Sequence, residues 1–248
     1  MNFKSELKQN KLSITFMGQA GFIFETEDGV RLGVDLYLSD CCERYFGFKR
    51  LMPYIADASS LDLDFLLCTH AHYDHFDPES VPVILSNPKT RLIAACDVKK
   101  DARRLGLKKE KITYIKEGDT VTVGNISIEA IPCDHGDDTP DAIGLLITAG
   151  GKRIVIAGDT CFHAEYFESE KVKNADLLIL PINGAYGNLN EEEAAKAVAL
   201  AEPELAIPCH YWNFAEHGGN PQLFVEALKN QNIDTPYILM RPAETVSL

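Results

Sequence analysis

The chain has 248 residues, of which 46% are hydrophobic and 25% charged, a composition that excludes a fibrous or largely disordered protein. Its 24 basic and 37 acidic residues give a formal net charge of −13, which argues against nucleic acid as a partner. The apolar runs are too short to cross a membrane, residues 1–10 lack an apolar signal core, and several of the seven cysteines lie in apolar runs. We therefore expect a cytoplasmic protein without a disulfide framework.

Short apolar runs rich in β-branched residues alternate with turn signals and predict many strands. Turns suited to antiparallel hairpins lie at residues 27–29, 124–125 and 149–151. The predicted strands are residues 13–16, 21–25, 31–36, 65–68, 91–95, 120–123, 127–133, 143–148, 153–157, 177–180 and 205–208.

Four further segments carry helix-start or helix-stop signals and are predicted to lie outside the sheets. They are residues 78–85 after Asp77, residues 97–105 before Gly106, residues 191–201 with a capping box of Asn190 and Glu193, and a helix from Asn220 and Pro221 to about residue 229. No linker, repeat or low-complexity stretch divides the sequence. We therefore predict one domain over residues 1–248, with mixed sheets and helices outside.

Residues 70–75 read His-Ala-His-Tyr-Asp-His, directly after the predicted strand 65–68. A strand that ends here leaves His70, His72, Asp74 and His75 on a loop at a sheet edge, where irregular backbone can aim them at one point. Imidazole and carboxylate groups are suitable ligands for Zn²⁺, Mn²⁺ or Fe. The alternative is a solvated loop or a pH-sensitive histidine cluster, but such density within six residues favours a metal site.

Three later strands each deliver an ionisable residue to their carboxyl end: His135, Asp159 and His210. Taken singly, each is typical of a turn residue, but together with the histidine-rich loop they form a plausible ligand set. Asp134 stands beside His135, and the sequence leaves open which of the two is the ligand.

This set resembles the metal-binding pattern of the metallo-β-lactamase superfamily, carried here by HAHYDH, the Gly-Asp-Thr at residues 158–160 and the two further histidines. The resemblance implies an α+β fold, a four-layer αββα sandwich of two mixed β-sheets with helices outside and a dinuclear site at one edge. It further implies that two divalent ions, Zn or Mn, are bound. By the family pattern His70, His72 and His135 hold one ion, Asp74, His75 and His210 hold the other, and Asp159 bridges them.

Within the superfamily the chain is most similar to L-ascorbate-6-phosphate lactonases and related metal-dependent hydrolases, in residues 17–21, 34–35, 185–187 and 207–212. The likeness implies a hydrolase that uses a metal-bridging hydroxide on a small anionic ester or lactone, and a homo-oligomer. This chain is shorter than those lactonases, and its third-ligand segment is less acidic. Two ions, two carboxylates and a hydroxide would leave a local charge of about +1, which attracts an anion. We expect Asp74 to accept the water proton as well as to bind metal.

Two other functions are open on the same residues. One is a phosphodiesterase that acts on a small phosphodiester or cyclic nucleotide, and the other is a non-catalytic protein that binds metal or ligand. A diiron redox protein is disfavoured, because such proteins resemble this chain but normally have a carboxylate at the position of His72 and an added flavin domain.

Several residues are weaker candidates for which an ordinary structural role is equally open. Asp35 is either an acid that supports a ligand or a turn residue, and His163 and His217 either contact substrate or are exposed loop histidines. The basic residues Arg44, Lys49 and Arg50 either grip an anionic group of the substrate or form a solvated face. Three thiols lie within two residues of predicted ligands, and strand alternation favours buried structural roles for them. These thiols are Cys133, Cys161 and Cys209.

Overall fold

Two mixed β-sheets lie at the centre of the computed structural model, which describes residues 12–248. In chain order the strands are β1 (Leu12–Gly18), β2 (Gly21–Thr26), β3 (Arg31–Val34), β4 (Phe65–Cys68), β5 (Arg91–Ala95), β6 (Ile112–Ile115), β7 (Thr120–Val123), β8 (Ile126–Ile131), β9 (Gly144–Ala149), β10 (Lys152–Ile156), β11 (Leu177–Pro181), β12 (Ala206–Cys209) and β13 (Thr245–Ser247). The helices are α1 (Cys41–Phe46), α2 (Ser80–Ile84), α3 (Lys99–Arg104), α4 (Ala164–Phe167), α5 (Glu191–Ala201) and α6 (Pro221–Asn230).

The strands divide into a seven-stranded sheet with the order β13-β1-β2-β3-β4-β5-β6 and a six-stranded sheet with the order β12-β11-β10-β9-β8-β7. In the first sheet β13 to β3 pair antiparallel and β3 to β6 pair parallel. In the second sheet β12, β11 and β10 pair parallel and the remaining strands antiparallel. Both sheets are therefore mixed, as predicted.

Alternating side chains of one strand show how the layers are stacked. On β4, Leu67 joins a buried cluster that contains residues of both sheets, whereas Leu66 joins a second cluster with α2 and α3. Since successive side chains of a strand point to opposite faces, α2 and α3 cover the outer face of the first sheet. Helices α5 and α6 contact each other and pack against the second sheet through Ala194 and Leu228. This arrangement confirms the predicted fold of two sheets with helices outside.

The predicted strands are all present, with ends that differ by at most two residues, and two strands were missed. The strand predicted over residues 31–36 ends at Val34, because Asp35 turns the chain with a φ of 48°. The missed strands, β6 and β13, lie at the edges of the first sheet and are partly exposed. A short, half-exposed edge strand has little of the apolar pattern on which the prediction depends.

The two longest helices begin where their caps predict. The side chain of Asn190 accepts a hydrogen bond from the N–H of Glu193, and the Glu193 carboxylate accepts one from the N–H of Asn190, so α5 has the predicted capping box. Asn220 caps α6 through the N–H of Gln222. Within the described residues no helix has the length and apolarity to cross a membrane. The expectation that no signal core is present concerns residues 1–10, which lie outside the described part.

Asp77 has a wider role than the helix cap that the sequence predicts. Helix α2 begins two residues later than expected, and the Asp77 carboxylate accepts hydrogen bonds from the N–H groups of Glu79 and Ser80. It also accepts hydrogen bonds from the N–H groups of Leu38 and Ser39 at 3.0 and 2.8 Å. One fully buried carboxylate thus joins the start of α2 to the segment that follows β3.

Candidate metal centre

The histidine-rich loop begins directly after β4 and is held by one buried carboxylate. Asp35, which follows β3, accepts hydrogen bonds from the N–H and the hydroxyl of Thr69 at 2.8 and 2.7 Å. It also accepts a hydrogen bond from Nδ1 of His75 at 2.9 Å. Asp35 is 1% exposed, so it is a buried support of the loop. The sequence analysis left two roles open for Asp35, an acid that supports a ligand and a turn residue.

His70, His72 and His135 form the first group of candidate ligands. The Nε2 atoms of His70 and His135 lie 3.0 and 3.1 Å from Nδ1 of His72. The three residues offer donor atoms within 4.8 Å of one another, a spacing that could hold a metal ion. The structure therefore brings together the three histidines that the superfamily pattern assigns to one ion. Their role as ligands stays a prediction.

Asp159 lies between this group and a second set of side chains. Its Oδ2 atom is 3.7 Å from Nε2 of His135, 3.3 Å from Nε2 of His75 and 3.1 Å from Nε2 of His210. The Oδ2 atom of Asp74 is 3.2 Å from the same nitrogen of His210 and 3.7 Å from that of His75. Asp159 thus lies between the two groups of candidate ligands, and all seven predicted ligands meet at one edge of the sheets. Its bridging role stays a prediction.

Two residues at the centre were missed or underrated by sequence reasoning. Gln19, in the turn between β1 and β2, donates a hydrogen bond from Nε2 to Oδ2 of Asp74 at 2.7 Å, and its backbone oxygen accepts the N–H of His210. His217 is 7% exposed and stacks on His210 with ring centroids 5.3 Å apart. Asp74, His210 and His217 form another group that could hold a metal ion. Gln19 carries no charge, so a search for ionisable residues does not find it.

The carboxylates and histidines of the centre shift one another's pKa. Burial raises the pKa of Asp159, but His210 and His75 outweigh this effect and hold it well below its usual range. Burial lowers the pKa of His210, but Asp159 and Asp74 outweigh it and raise the value to about 9. Burial and the neighbouring His210 lower the pKa of His217 to about 4. In the metal-free protein the carboxylates are therefore charged, and the imidazoles differ widely in their affinity for protons.

Buried atoms without partners show that the centre suits a metal. In the part of the chain that the structure describes, Oε1 of Gln19 has no hydrogen-bond partner, and Nε2 of His75 makes no well-aligned hydrogen bond although Asp159 lies 3.3 Å away. A buried polar atom without a partner costs about 1–3 kcal/mol, which a bound cation would remove for the imidazole. Asp35 holds Nδ1 of His75 and so directs its Nε2 towards Asp159, an arrangement typical of metal-ligating histidines. The donor set of imidazole and carboxylate groups fits a divalent ion such as Zn²⁺ or Mn²⁺.

A cavity of about 720 Å³ opens above these residues. Its floor is formed by side chains of the centre, and four aromatic side chains stand in its wall. Among the described residues that line it there is neither lysine nor arginine, whereas Asp137 and Asp138 are present. The floor residues are His72, Asp74, His135, Asp159, His210 and His217, and the aromatic wall consists of Phe46, Phe48, Tyr73 and Tyr186.

The weaker basic candidates lie away from the cavity. The guanidinium of Arg44 donates to the carboxylate of Glu79, and Lys49 is exposed. Arg50 donates to the backbone oxygens of Tyr37 and Ser39. None of the three lines the cavity, so the structure does not bring them to a substrate at the centre.

The two remaining open candidates, Asp134 and His163, also lie outside the centre. His135 faces His72, whereas the carboxylate of its neighbour Asp134 lies 2.7 Å from Nε2 of His163. Of the two adjacent residues, His135 is therefore the one that the structure places among the candidate ligands. Of the thiols near the ligands, Cys209 is buried and Cys133 donates to the backbone oxygen of Asp159. Cys161 instead faces Asp134 and His163.

Two mixed sheets with outer helices and a cluster of histidine and aspartate at one edge define a metallo-β-lactamase fold. A family model for the beta-lactamase superfamily domain matches residues 36–211, a range that includes all seven predicted ligands. The chain belongs to the β-lactamase superfamily.

Related proteins specify the class of activity. A UPF0173 metal-dependent hydrolase of Archaeoglobus fulgidus is 25% identical to this chain, and the alignment covers 94% of this chain and 98% of that protein. A UPF0173 metal-dependent hydrolase of Methanopyrus kandleri is 26% identical, and the alignment covers 94% of this chain and 99% of that protein. The solved structure of Igni18, a metallo hydrolase from Ignicoccus hospitalis, matches with a TM-score of 0.75 and 22% identity over 96% of this chain and 98% of that one. The protein is a metal-dependent hydrolase of the superfamily.

Proposed function

We propose that the protein hydrolyses an ester or lactone bond in a small substrate that carries an uncharged aromatic or apolar group. The observation that carries this proposal is the position of the buried histidines and aspartates at the floor of a cavity with an aromatic wall. The floor supplies the groups for hydrolysis, and the wall supplies a surface for an apolar part of the substrate.

The side chains of the floor have separate roles in this proposal. His70, His72 and His135 would hold one ion, and Asp74, His75 and His210 the other, with Asp159 between them. Bound divalent ions lower the pKa of a coordinated water to about 7 and polarise the carbonyl that is attacked. Asp35 and Gln19 orient His75 and Asp74 through the hydrogen bonds described above.

We assign to Asp74 the role of accepting the proton of the attacking water. Its carboxylate lines the cavity, and it is deprotonated at neutral pH. Burial raises the pKa of Asp74, but His75 and His210 outweigh this effect and bring it well below its usual range. The hydrogen bond from Gln19 at 2.7 Å fixes one carboxylate oxygen. A pKa this low makes Asp74 a weak base, so the role that we propose depends on its charge and its fixed position in the cavity and not on its basicity.

The aromatic wall supports one class of substrate in this proposal. Phe46 and Tyr186 are 56% and 57% exposed although they are large and apolar or aromatic, and Phe48 lies between them, with ring centroids 6.1 Å from each. The ring of Tyr186 lies 5.1 Å from that of His217, so the rings extend from the rim to the floor. Such rings favour aromatic or apolar groups by about 0.5–1.5 kcal/mol for each contact.

The sequence predicts an anionic substrate, but the residues that line this cavity favour an uncharged one. A phosphate or carboxylate beyond the ions would meet Asp137 and Asp138 and no basic side chain among the lining residues. Like charges disfavour binding. For the same reason we do not favour the phosphodiesterase alternative, since a phosphodiester is an anion.

The proposal is tested with the zinc-loaded and manganese-loaded protein on matched substrates. We expect kcat/KM for an aromatic lactone, such as dihydrocoumarin, to exceed that for an aliphatic lactone of the same ring size by about tenfold or more, as two or three aromatic contacts would give. A phosphorylated sugar lactone and an aryl phosphodiester should be poorer substrates still. Preference for either anion would contradict the proposed substrate class. Full metal content without turnover of any ester or lactone would contradict the proposed reaction and favour a binding protein.

A further inference from the structure

Asp134, Cys161 and His163 converge on one point at the surface, next to His135 and Asp159 in the sequence. The Sγ atom of Cys161 lies 3.2 Å from Nε2 of His163 and 3.3 Å from Oδ2 of Asp134. The same Oδ2 atom is 2.7 Å from the same nitrogen. A thiol, an imidazole and a carboxylate therefore each present one donor atom to a shared position.

This geometry favours a ligand set over a catalytic triad of Cys161, His163 and Asp134. In a catalytic triad the carboxylate holds one nitrogen of the imidazole, and the nucleophile contacts the other. Here both the thiol and the carboxylate lie at Nε2 of His163, and Nδ1 is 3.9 Å from Oε1 of Glu165. The ring consequently cannot relay a proton between Cys161 and Asp134, whereas all three atoms can bind one cation.

The distances suit a tetrahedral zinc ion. Zinc ligand distances of about 2.3 Å to sulfur and about 2.0 Å to nitrogen or oxygen place neighbouring donors about 3.3–3.6 Å apart. The three observed separations, 2.7, 3.2 and 3.3 Å, need to increase by no more than about 0.6 Å. The side chains of His163 and Asp134 are 44% and 54% exposed, so they can make this adjustment without disturbing the core.

We infer that Asp134, Cys161 and His163 form a zinc site separate from the candidate catalytic centre. The combination of a thiolate with an imidazole favours zinc over harder ions such as Mg²⁺ and Ca²⁺. Asp134 and His163 also line a second cavity, of about 670 Å³, from which water can take the fourth position.

A cation at this site would join the two segments that present ligands to the catalytic centre. Asp134 directly precedes His135, and Cys161 follows Asp159 by two residues. The segments are already connected by the N–H of Cys161, which donates to the backbone oxygen of Asp134 at 2.9 Å, and by the N–H of Asp134, which donates to the Thr160 hydroxyl. A zinc ion would link the side chains of the same two segments.

Cobalt substitution tests this site without an activity assay. In residues 12–248, Cys161 is the one cysteine in any group of side chains arranged to hold a metal, so a sulfur-to-cobalt charge-transfer band in the near ultraviolet reports this site alone. We expect the Co²⁺-loaded protein to show the band and Cys161→Ser to abolish it while the visible bands of the histidine and aspartate centre remain. Cys96→Ser, which removes another partly exposed thiol, is the matched control and should keep the band.

Alkylation of the unmodified protein provides a second measurement that does not depend on a variant. Zn²⁺ should slow the reaction of Cys161 with iodoacetamide by at least about tenfold and leave that of Cys96 unchanged, since a metal-bound thiolate is shielded and less nucleophilic. Absence of the charge-transfer band in the wild-type protein, its persistence in Cys161→Ser, or equal alkylation of Cys161 with and without Zn²⁺ would each overturn the proposal.

Discussion

The floor and the rim of the cavity above the candidate metal centre are built in different ways. The floor consists of buried side chains that several strand ends deliver, and supports such as Asp35 and Gln19 hold them by short hydrogen bonds. The rim consists of exposed aromatic side chains, such as Phe46 at the end of a six-residue helix and Tyr186 in a loop. In the function that we propose, the sheet edge supplies the chemistry and the loops select the substrate.

The largest expected effect lies at the floor. Asp159→Asn removes the charge of the carboxylate that lies within 3.7 Å of three histidine nitrogens. We expect the variant to lose at least one metal ion and about a thousandfold in kcat/KM, since the metal contributes several kcal/mol to the transition state. Metal analysis and hydrolysis of the preferred lactone measure both losses.

Asp137→Asn is the control for this substitution, because Asp137 lines the same cavity but belongs to none of the candidate metal groups. It should keep its metal and most of its activity. Full metal content and activity in Asp159→Asn would contradict the role of Asp159 in metal binding and hydrolysis.

Metal binding at the floor should depend on pH, because a metal must displace protons from the histidines. The pKa of His210 is about 9 in the metal-free protein, so this imidazole holds a proton at pH 7 and loses it as the pH rises through 9. Loss of this one proton should therefore increase the affinity for Zn²⁺ by about fiftyfold from pH 7 to 9, and less steeply above.

Calorimetry of zinc binding in buffers of different ionisation enthalpy measures the number of protons released. His210→Gln should release about one proton fewer than the wild-type protein at pH 7.5. An affinity that does not change between pH 7 and 9 would be inconsistent with the charges that we assign to the floor.

A substitution at the rim should change recognition and leave the chemistry intact. Phe46→Ala removes one exposed ring from the cavity wall. We expect KM for an aromatic lactone to increase about two- to tenfold, the value of one aromatic contact, and kcat to change by less than about twofold. Leu223→Ala, which removes an exposed apolar side chain on α6, is the control and should change neither constant. A fall in kcat as large as that in a floor variant would remove the distinction between the two regions.

The smallest expected effect concerns a support of the floor. Asp97 accepts the N–H of Ala71, between His70 and His72, and burial raises its pKa to about 6. As the pH rises from 4 to 6, the unfolded chain loses this proton before the folded protein does, so folding loses stability over this range. Asp97→Asn should therefore stabilise the metal-free protein by about 1–2 kcal/mol at pH 7, allowing for partial exposure of the group, and by much less at pH 4.

Urea denaturation of the wild-type protein and the variant at the two pH values measures this difference. An equal effect of the substitution at pH 4 and pH 7 would show that the charge of Asp97 is not its cause.

Sequence reasoning was most successful for the floor. Four candidate ligands lie in one run of six residues, and the others follow apolar strands, so local patterns were sufficient to name the residues that the structure brings together. Their role as ligands stays a prediction. Gln19 was not identified, because its role arises from contacts with Asp74 and His210, which are 55 and 191 residues away. His217 has no apolar strand before it and gains its place by stacking on His210.

The rim and the edges of the fold could not be predicted in the same way. Phe46 and Tyr186 lie in a short helix and a loop, where hydrophobic periodicity carries no information. The basic residues Arg44, Lys49 and Arg50 have the charge expected of an anion site, but their positions depend on partners such as Glu79 that only the folded chain brings near. Long-range packing, and not local pattern, decides what faces the substrate.

The central claim is tested most directly by diffraction from crystals of the zinc-loaded protein at the zinc absorption edge. The account predicts an anomalous peak enclosed by His70, His72 and His135 and another beside Asp74 and His210, with Asp159 within bonding distance of both. Zinc bound elsewhere on the molecule, with no peak among these side chains, would contradict it.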